Sequence, residues 1–388
     1  MFFIVVKKYK HIIRPRLMVT AREFNECLLD LELNYFTGVP DSTLKEWLKL
    51  LFNNSDKFIN RIAANEGAAI SSAAGYYLAT GKTGVVYLQN SGLGNCINPL
   101  TSLTDSDVYG IPLVMLIGWR GAPGNKDEPQ HKKMGSITEK ILSTLGIPYE
   151  ILNNTNYRKQ ISNAKLMSES KQQPCALIIR PGFFDTCNAK ESDKKPSEYM
   201  MREDAIRCIV KAAKYSDIML STTGKTSREL YEICTNNQRG HNNNFYNVGS
   251  MGHVSAIGLE VAIQKKDKLT YILDGDGALI MHMGTLAAIG HYHPKNLVHI
   301  VFDNEVHEST GSQPTLSKAI DIAGVMKECN YKQIETISNK TTLINILNST
   351  ITGPLGIVIK IKPGSCDNLG RPTDTPKDNK TRFMNWSN

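Results

Sequence analysis

Residues 271–304 read YILDGDGALIMHMGTLAAIGHYHPKNLVHIVFDN, and this stretch decides the fold. Tyr271–Leu273 is an apolar run of strand length, Gly275-Asp276-Gly277 is a tight acidic turn, and an apolar helix follows. A second apolar strand, Leu297–Phe302, then carries Asp303 and Asn304 to the edge that Asp276 occupies. Two buried strands joined by a helix form a parallel unit, and open α/β sheets bind ligands at the carboxyl ends of such strands. The glycines let backbone N–H groups come close to an anion, and the helix N-terminus favours negative charge.

Outward from this stretch, both halves of the chain alternate helix-period segments with short apolar strands. The first half gives an amphipathic helix at Thr20–Leu31, a short strand beginning at Tyr35-Phe36, and a turn at Gly38–Ser42. Asp41 or Ser42 then caps a helix at Leu44–Leu51. A strand at Arg61–Ala64 ends in Asn65-Glu66-Gly67, and a small-residue helix follows at Ala68–Ala79. The strand Val85–Gln89, a loop at Asn90–Asn95, another helix, and strands at Leu113–Gly118 and Cys175–Arg180 complete the unit. The second half runs through a helix near Glu203–Ala213, a strand at Ile218–Ser221, a glycine turn at Thr223-Gly224, the quoted stretch, and a last strand at Ile357–Ile361. The expectation is α/β, with two doubly wound parallel sheets that share a grammar but no detectable sequence repeat. The expected divisions are a basic extension at 1–17, a first domain at 18–184, a polar linker at 185–197 (DTCNAKESDKKPS), and a second domain at 198–388.

The 388 residues suit two domains, and 41% apolar with 21% charged residues suit a globular chain. The net charge of +8 comes from scattered Lys and Arg without interleaved aromatics, so no nucleic-acid partner is expected. A modest positive field toward an acidic small substrate fits equally well. Eight cysteines without a CxxC pair argue against structural zinc and a disulfide framework, and no apolar run is long enough for a membrane. A cytoplasmic location is expected, with residues 1–17 a dispensable extension and Met18 the functional start; the alternative is organelle targeting through those basic residues. Nucleotide motifs fail on inspection. Tyr76 and Met219 stand where the first glycine of a P-loop belongs, and Ile97 and Ile280 where the third glycine of a dinucleotide fingerprint belongs.

A carboxylate, an amide oxygen and a diphosphate are what a hard octahedral Mg²⁺ takes as ligands. Gly-Asp-Gly followed at this distance by a strand ending in Asn resembles the thiamine diphosphate signature. That resemblance implies Mg²⁺ held by Asp276, the Asn304 side-chain oxygen and the Val306 carbonyl, with Asp303 where most of the family has Asn. It implies diphosphate or pyrimidine contacts from Thr223, Gly224, Gly275, Gly277 and Ala278. It places Met251, beside Ser250, where a bulky apolar residue bends the cofactor; ordinary core packing is the alternative. The segment NEGAAISSAAGYYLATGKTG is similar to the glutamate segment of thiamine-dependent decarboxylases. Glu66 would there engage the cofactor's pyrimidine ring, the alternative being a simple complement to a helix N-terminus.

From Met18 onward YFTGVPDSTLKEWL, NSGLGNCINPLTSL, GWRGAPGNKDEPQHKKMG, DNEVHESTGSQPT and LGRPTDTPKDNK resemble the phosphonopyruvate decarboxylase family. This family is close to the sulfopyruvate decarboxylases and lacks the middle domain of larger thiamine decarboxylases. The resemblance implies decarboxylation of 3-phosphonopyruvate to phosphonoacetaldehyde and CO₂, within phosphonate (2-aminoethylphosphonate) biosynthesis. Asp41 lies in a segment similar to one supplying an acid near the thiazolium, or it is only a helix cap. Arg120, Lys126 and His131 are candidates for holding substrate, the alternative being a solvated loop; Asn90 and His307 are further candidates. A homodimer or higher homo-oligomer is implied, with the site at the subunit interface and with Glu66 and Asp276 serving it from different chains. Two alternatives remain open: a sulfopyruvate or other 2-oxo acid decarboxylase, and a non-catalytic thiamine diphosphate-binding protein.

Overall fold

Continuous apolar runs such as LVMLIG and LVHIVFD have no polar face, so they form strands buried on both sides of a parallel sheet. The computed structural model describes residues 18–53, 57–186, 198–366 and 368–387. The basic extension at 1–17 and residues 187–197 of the expected linker lie outside the described residues.

The first sheet holds β1 (Tyr35–Gly38), β2 (Ile59–Ile62), β3 (Gly84–Gln89), β4 (Leu113–Gly118), β5 (Tyr149–Ile151) and β6 (Pro174–Ile179). Its order is β2-β1-β3-β4-β6-β5, all parallel. The second holds β7 (Ile218–Ser221), β8 (Asn244–Tyr246), β9 (Thr270–Gly275), β10 (Leu297–Asp303), β13 (Gln333–Ile337) and β14 (Leu355–Lys360). Read from its β8 edge, the order is β8-β7-β9-β10-β14-β13, also all parallel. The two sheets therefore have one topology, strand for strand, as the shared grammar predicts. Between β10 and β13 a small antiparallel hairpin pairs β11 (Val306–His307) with β12 (Gln313–Pro314).

Each sheet is covered on both faces. In the first half, Phe24, Phe36, Trp47, Tyr87, Phe183 and Phe184 form an aromatic cluster on one face, and Ile70, Leu88, Met115 and Trp119 lie on the other. The second half repeats this with two aliphatic layers around β9 and β10.

Three local readings are corrected. Asn90–Asn95, expected as a loop, is a 3₁₀ turn at Asn90–Gly92 running straight into the helix Leu93–Ser102. Its Gly and Asn residues signal a turn, but Leu93, Cys96 and Leu100 lie at helical spacing and bury on the core side. The apolar helix after Gly277 is two helices, Asp276–Met281 and Thr285–Tyr292, broken around Gly284. The strand at the β2 edge lies two residues earlier than its apolar pattern suggested, because an edge strand is only half-buried and carries a weak pattern.

This architecture decides where chemistry can occur. Asp41 follows β1, Glu66 follows β2, Asn90 follows β3 and Arg120 follows β4. Thr223 and Gly224 follow β7, Ser250 and Met251 follow β8, Asp276 follows β9, and Asn304 follows β10. Each of these candidates lies just past the carboxyl end of a strand, the edge at which such sheets bind ligands.

Candidate active site

Asp276 begins its helix directly from β9 and is buried, with 3% of its surface exposed. Its Oδ2 accepts from the Thr315 hydroxyl at 2.5 Å, and the Ser317 hydroxyl lies 3.1 Å from that of Thr315. Ser317 donates to Asp303 Oδ1 at 2.8 Å, and Lys360 on neighbouring β14 pairs with the other oxygen of Asp303. Burial pushes the Asp276 carboxyl up to about 6; the charge of Asp303 adds to this, and the Thr315 hydroxyl opposes it. Asn304 is also buried, and its Oδ1 accepts from Val306 N at 3.1 Å. The residue between them, Glu305, sits in the left-handed region at φ 62°. Past that kink the Glu305 carbonyl accepts from Thr315 N at 2.9 Å, which ties this loop to the residue that hydrogen-bonds Asp276. His307 packs its ring over Gly277, and burial lowers its pKa to about 4, leaving a neutral imidazole.

The cofactor candidates after β7 and β8 form one loop pair. Thr223 donates to Val248 O at 2.8 Å, tying the two loops together. Gly224 (φ 96°) opens the helix Lys225–Asn236, and Ser250 (φ 48°) precedes a half-buried Met251 that belongs to none of the core clusters.

On the first sheet, Glu66 opens the helix Glu66–Thr80 and is buried. Its Oε2 accepts from Asn95 Nδ2 at 2.7 Å, and its carboxylate lies so close to Gly92 that an added Cβ would come within 2.4 Å of Oε1. Asp41 is fully buried against Gly118, with Oδ1 accepting from Gln89 Nε2 at 2.7 Å and Oδ2 from Thr43 N at 2.9 Å. Burial raises its carboxyl, while the Gln89 and Thr43 hydrogen bonds oppose the rise. The Asp41 side chain thus bonds two residues on instead of capping the helix Lys45–Asn53.

Arg120 is not free. Its Nε and Nη2 grip Asp127 at 2.8 and 2.5 Å, and Nη1 donates to Ser42 at 2.9 Å beside Asp41. The Arg120 fork holds the Asp127 carboxyl below its usual range. Asn90 is committed to protein: its amide bonds Arg120 N, Arg120 O and Thr138. It thus orients the loop instead of facing solvent. His131 is half-buried, with its pKa lowered mainly by burial, while Lys126 is exposed.

The expectation that Glu66 and Asp276 serve one site from different chains concerns an assembly, and the single chain shows only the contacts its own two edges make. The two carboxyl edges face each other within one chain. Asn65 Nδ2, next to Glu66, donates to Met281 O at 3.2 Å, at the end of the helix that Asp276 begins. A Cβ at Gly249 would lie 3.2 Å from Gln130, and one at Gly311 would lie 2.8 Å from Lys45. Arg371 of the tail pairs with Glu128 in the Arg120 loop.

Sequence reading missed the residues that support these groups. Thr315 and Glu308 lie in the quoted DNEVHESTGSQPT segment without a signal of role. Arg202, Asn95, Asp127 and Lys360 reach the site only through the fold.

Residues 18–140 match the N-terminal TPP binding domain of thiamine pyrophosphate enzymes, and residues 222–359 match the C-terminal TPP binding domain. A phosphonopyruvate decarboxylase of Streptomyces viridochromogenes is 33% identical over 385 residues, covering 94% of each chain. One from Streptomyces hygroscopicus is 33% identical, covering 95% of this chain and 94% of its own. A sulfopyruvate decarboxylase of Methanosarcina acetivorans is 29% identical, covering 89% of this chain and 92% of its own. The chain belongs to the phosphonopyruvate decarboxylase family of thiamine pyrophosphate enzymes.

Membership makes it a carboxy-lyase that works with thiamine pyrophosphate. Among the described residues, no helix is long and apolar enough to cross a membrane, and the described cysteines are free thiols.

Two outcomes follow from the Asp276 corner. The folded carboxyl titrates near 6, above its ordinary value of 3.8, so protonation favours the folded chain. Its contribution is complete at low pH and is lost as pH rises through about 6. In chelator, urea unfolding should therefore show Asp276→Asn gaining on the wild type between about 4 and about 6 and levelling off above. A pH-independent difference would contradict the raised pKa.

Glu305→Gly should stabilise the chain by about 1 kcal/mol, because it removes the left-handed penalty of a side chain. The Lys360–Glu305 pair that it sacrifices is 3.8 Å long and only partly shielded from solvent, hence worth little. Glu305→Val should destabilise, and thermal unfolding of the two variants reads both signs.

Proposed function

We propose that the chain decarboxylates 3-phosphonopyruvate to phosphonoacetaldehyde and CO₂, with thiamine diphosphate and Mg²⁺ as cofactors. The observation that carries this reading is the pair of facing edges: a buried Glu66 on one, and the Asp276–Asn304 corner on the other. The donors at that corner are a carboxylate, an amide oxygen and a backbone carbonyl, all hard oxygens suited to Mg²⁺. Asp276, Asn304 and the Val306 carbonyl would hold the ion. Thr223, Gly224, Gly275, Gly277 and Ala278 would take the diphosphate end, and Met251 would pack against the cofactor's bend. When bound, the cofactor supplies the electron sink into which the substrate's carboxylate bond breaks.

The chain's own residues supply the rest. Glu66, fixed by Asn95, would present its carboxyl to the cofactor's pyrimidine ring nitrogen. Asp41, with its raised pKa, would hold a proton and give it to the carbon that loses CO₂. The segment from Arg120 to His131, with Arg120 braced by Asp127, would face the phosphonate, where N–H donors offset its charge. Sulfopyruvate is the competing substrate, since it presents a tetrahedral anion of similar shape.

CO₂ release from phosphonopyruvate, sulfopyruvate and pyruvate, each with and without thiamine diphosphate and Mg²⁺, tests the reading. Preference for phosphonopyruvate is expected; preference for sulfopyruvate would keep the chemistry and change the substrate. Glu66→Gln should lose at least about a hundredfold in turnover while still binding the cofactor. Unchanged turnover would remove Glu66 from the mechanism.

We propose further that the protein is a homodimer or larger with the site at the subunit interface, Glu66 and Asp276 serving it from different chains, and that a second copy covers the exposed face of the helices Glu66–Thr80 and Leu93–Ser102. That face is lined by Ala68, Ser71, Gly75, Leu78, Gly94 and Ile97, small or apolar residues left in solvent by a single chain. Sedimentation should give a dimer or larger. Glu66→Gln and Asp276→Asn chains, refolded together, should recover part of the activity; a mixture that stays inactive would place both residues of each site on one chain.

A further inference from the structure

Charged groups from two helices converge on the loop that follows Asn304. Arg202, at the start of the helix Arg202–Ala212, is 5% exposed and grips both oxygens of Glu229 at 2.7 and 2.8 Å. Its remaining Nη1 donates to Glu308 Oε2 at 2.8 Å. Lys225, first residue of the helix Lys225–Asn236, donates to Glu308 Oε1 at 3.1 Å. Glu308 Oε2 faces the Asn304 Nδ2 group at 3.4 Å, while Asn304 Oδ1 takes the Val306 N–H. Burying such a cluster is costly unless every charge is paired, and here each is.

The oxygen and nitrogen of an amide side chain are nearly the same in shape, so only hydrogen-bond partners decide which way it points. A carboxylate accepts and does not donate. The atom of Asn304 that faces Glu308 must therefore be the NH₂, and the oxygen is turned to the other side. We propose that Glu308 is a positioning residue: it selects the amide orientation in which Asn304 offers its oxygen to the cation, and Arg202 and Lys225 anchor it. The inference rests on the cation reading of Asp276 and Asn304 given above.

The test uses the full chain with saturating thiamine diphosphate and Mn²⁺ as the probe, followed by loss of the free-ion paramagnetic resonance signal. Asp276→Asn controls for the underlying reading: if it retains wild-type Mn²⁺ affinity, the cation site is elsewhere and that reading falls. With that control in place, Glu308→Gln should weaken Mn²⁺ binding by about tenfold, as outer partners of metal ligands do. Glu308→Asp keeps the charge but withdraws the carboxylate from Asn304, and should show a loss of the same sign.

The decisive comparison repeats both changes in an Asn304→Asp background. A carboxylate presents two equivalent oxygens and needs no orienting, so there Glu308→Gln should cost nothing or tighten binding by relieving like-charge contact. A loss of similar size in both backgrounds would overturn the proposal, since Glu308 would then contribute only charge or loop stability. Unchanged affinity of both Glu308 variants in the Asn304 chain would overturn it as well.

Discussion

The parallel pairing of β9 with β10 is the constraint on which the candidate site depends. Its register sets Phe302 beside Gly275, so Asp276 and Asp303-Asn304 leave the sheet together on one edge. The first sheet does the same with β3 and β4, where Gln89 lies beside Gly118 and both meet Asp41. Parallel strands all end on one side, so one geometric rule collects every candidate group there. The rule has a cost, because carboxylates placed at the ends of buried strands lose water and need partners.

The two halves answer that cost differently. Around the first sheet, Asp41 and Glu66 are held by amides: Gln89 and the Thr43 N–H for one, Asn95 for the other. Around the second, cations do the work: Lys360 pairs with Asp303, and Arg202 and Lys225 pair with Glu308. Asp276 is the exception in its own neighbourhood. Its described partners are the hydroxyls of Thr315 and Ser317 and the Gly277 N–H, and the charge acting on it is another carboxylate. A buried carboxyl in that state suits the cation proposed for this corner.

How much of this was legible in sequence depends on how local each feature is. Gly-Asp-Gly, a helix and a strand ending in Asn lie within one contiguous stretch, so strand length and turn chemistry were enough to place Asp276 and Asn304 at one edge. Glu66 was visible because a strand-to-helix junction and a run of small residues frame it. Lys360 was not, because it meets Asp303 only through the pairing of β14 with β10, which no local pattern encodes. Arg202 lies far from Glu308 along the chain and reads as an ordinary helix-opening residue. The turn-rich composition at Asn90–Asn95 concealed a helix start that burial of Leu93 and Cys96 enforces. Asn90 and Arg120 stood out as substrate candidates, but their hydrogen bonds to Thr138 and Asp127 could not be read from any local pattern.

Both sheets share one strand order and are carried on a single polypeptide. The consequence is stoichiometric. Each Glu66-bearing edge is synthesised with one Asp276-bearing edge, in equal number and at the high local concentration that tethering confers. Two separately made subunits with the same contacts would have to find each other from dilute solution and would part again on further dilution. For contacts that do lie within one chain, such as Asn65 with Met281, the encounter is intramolecular and needs only a modest surface to persist.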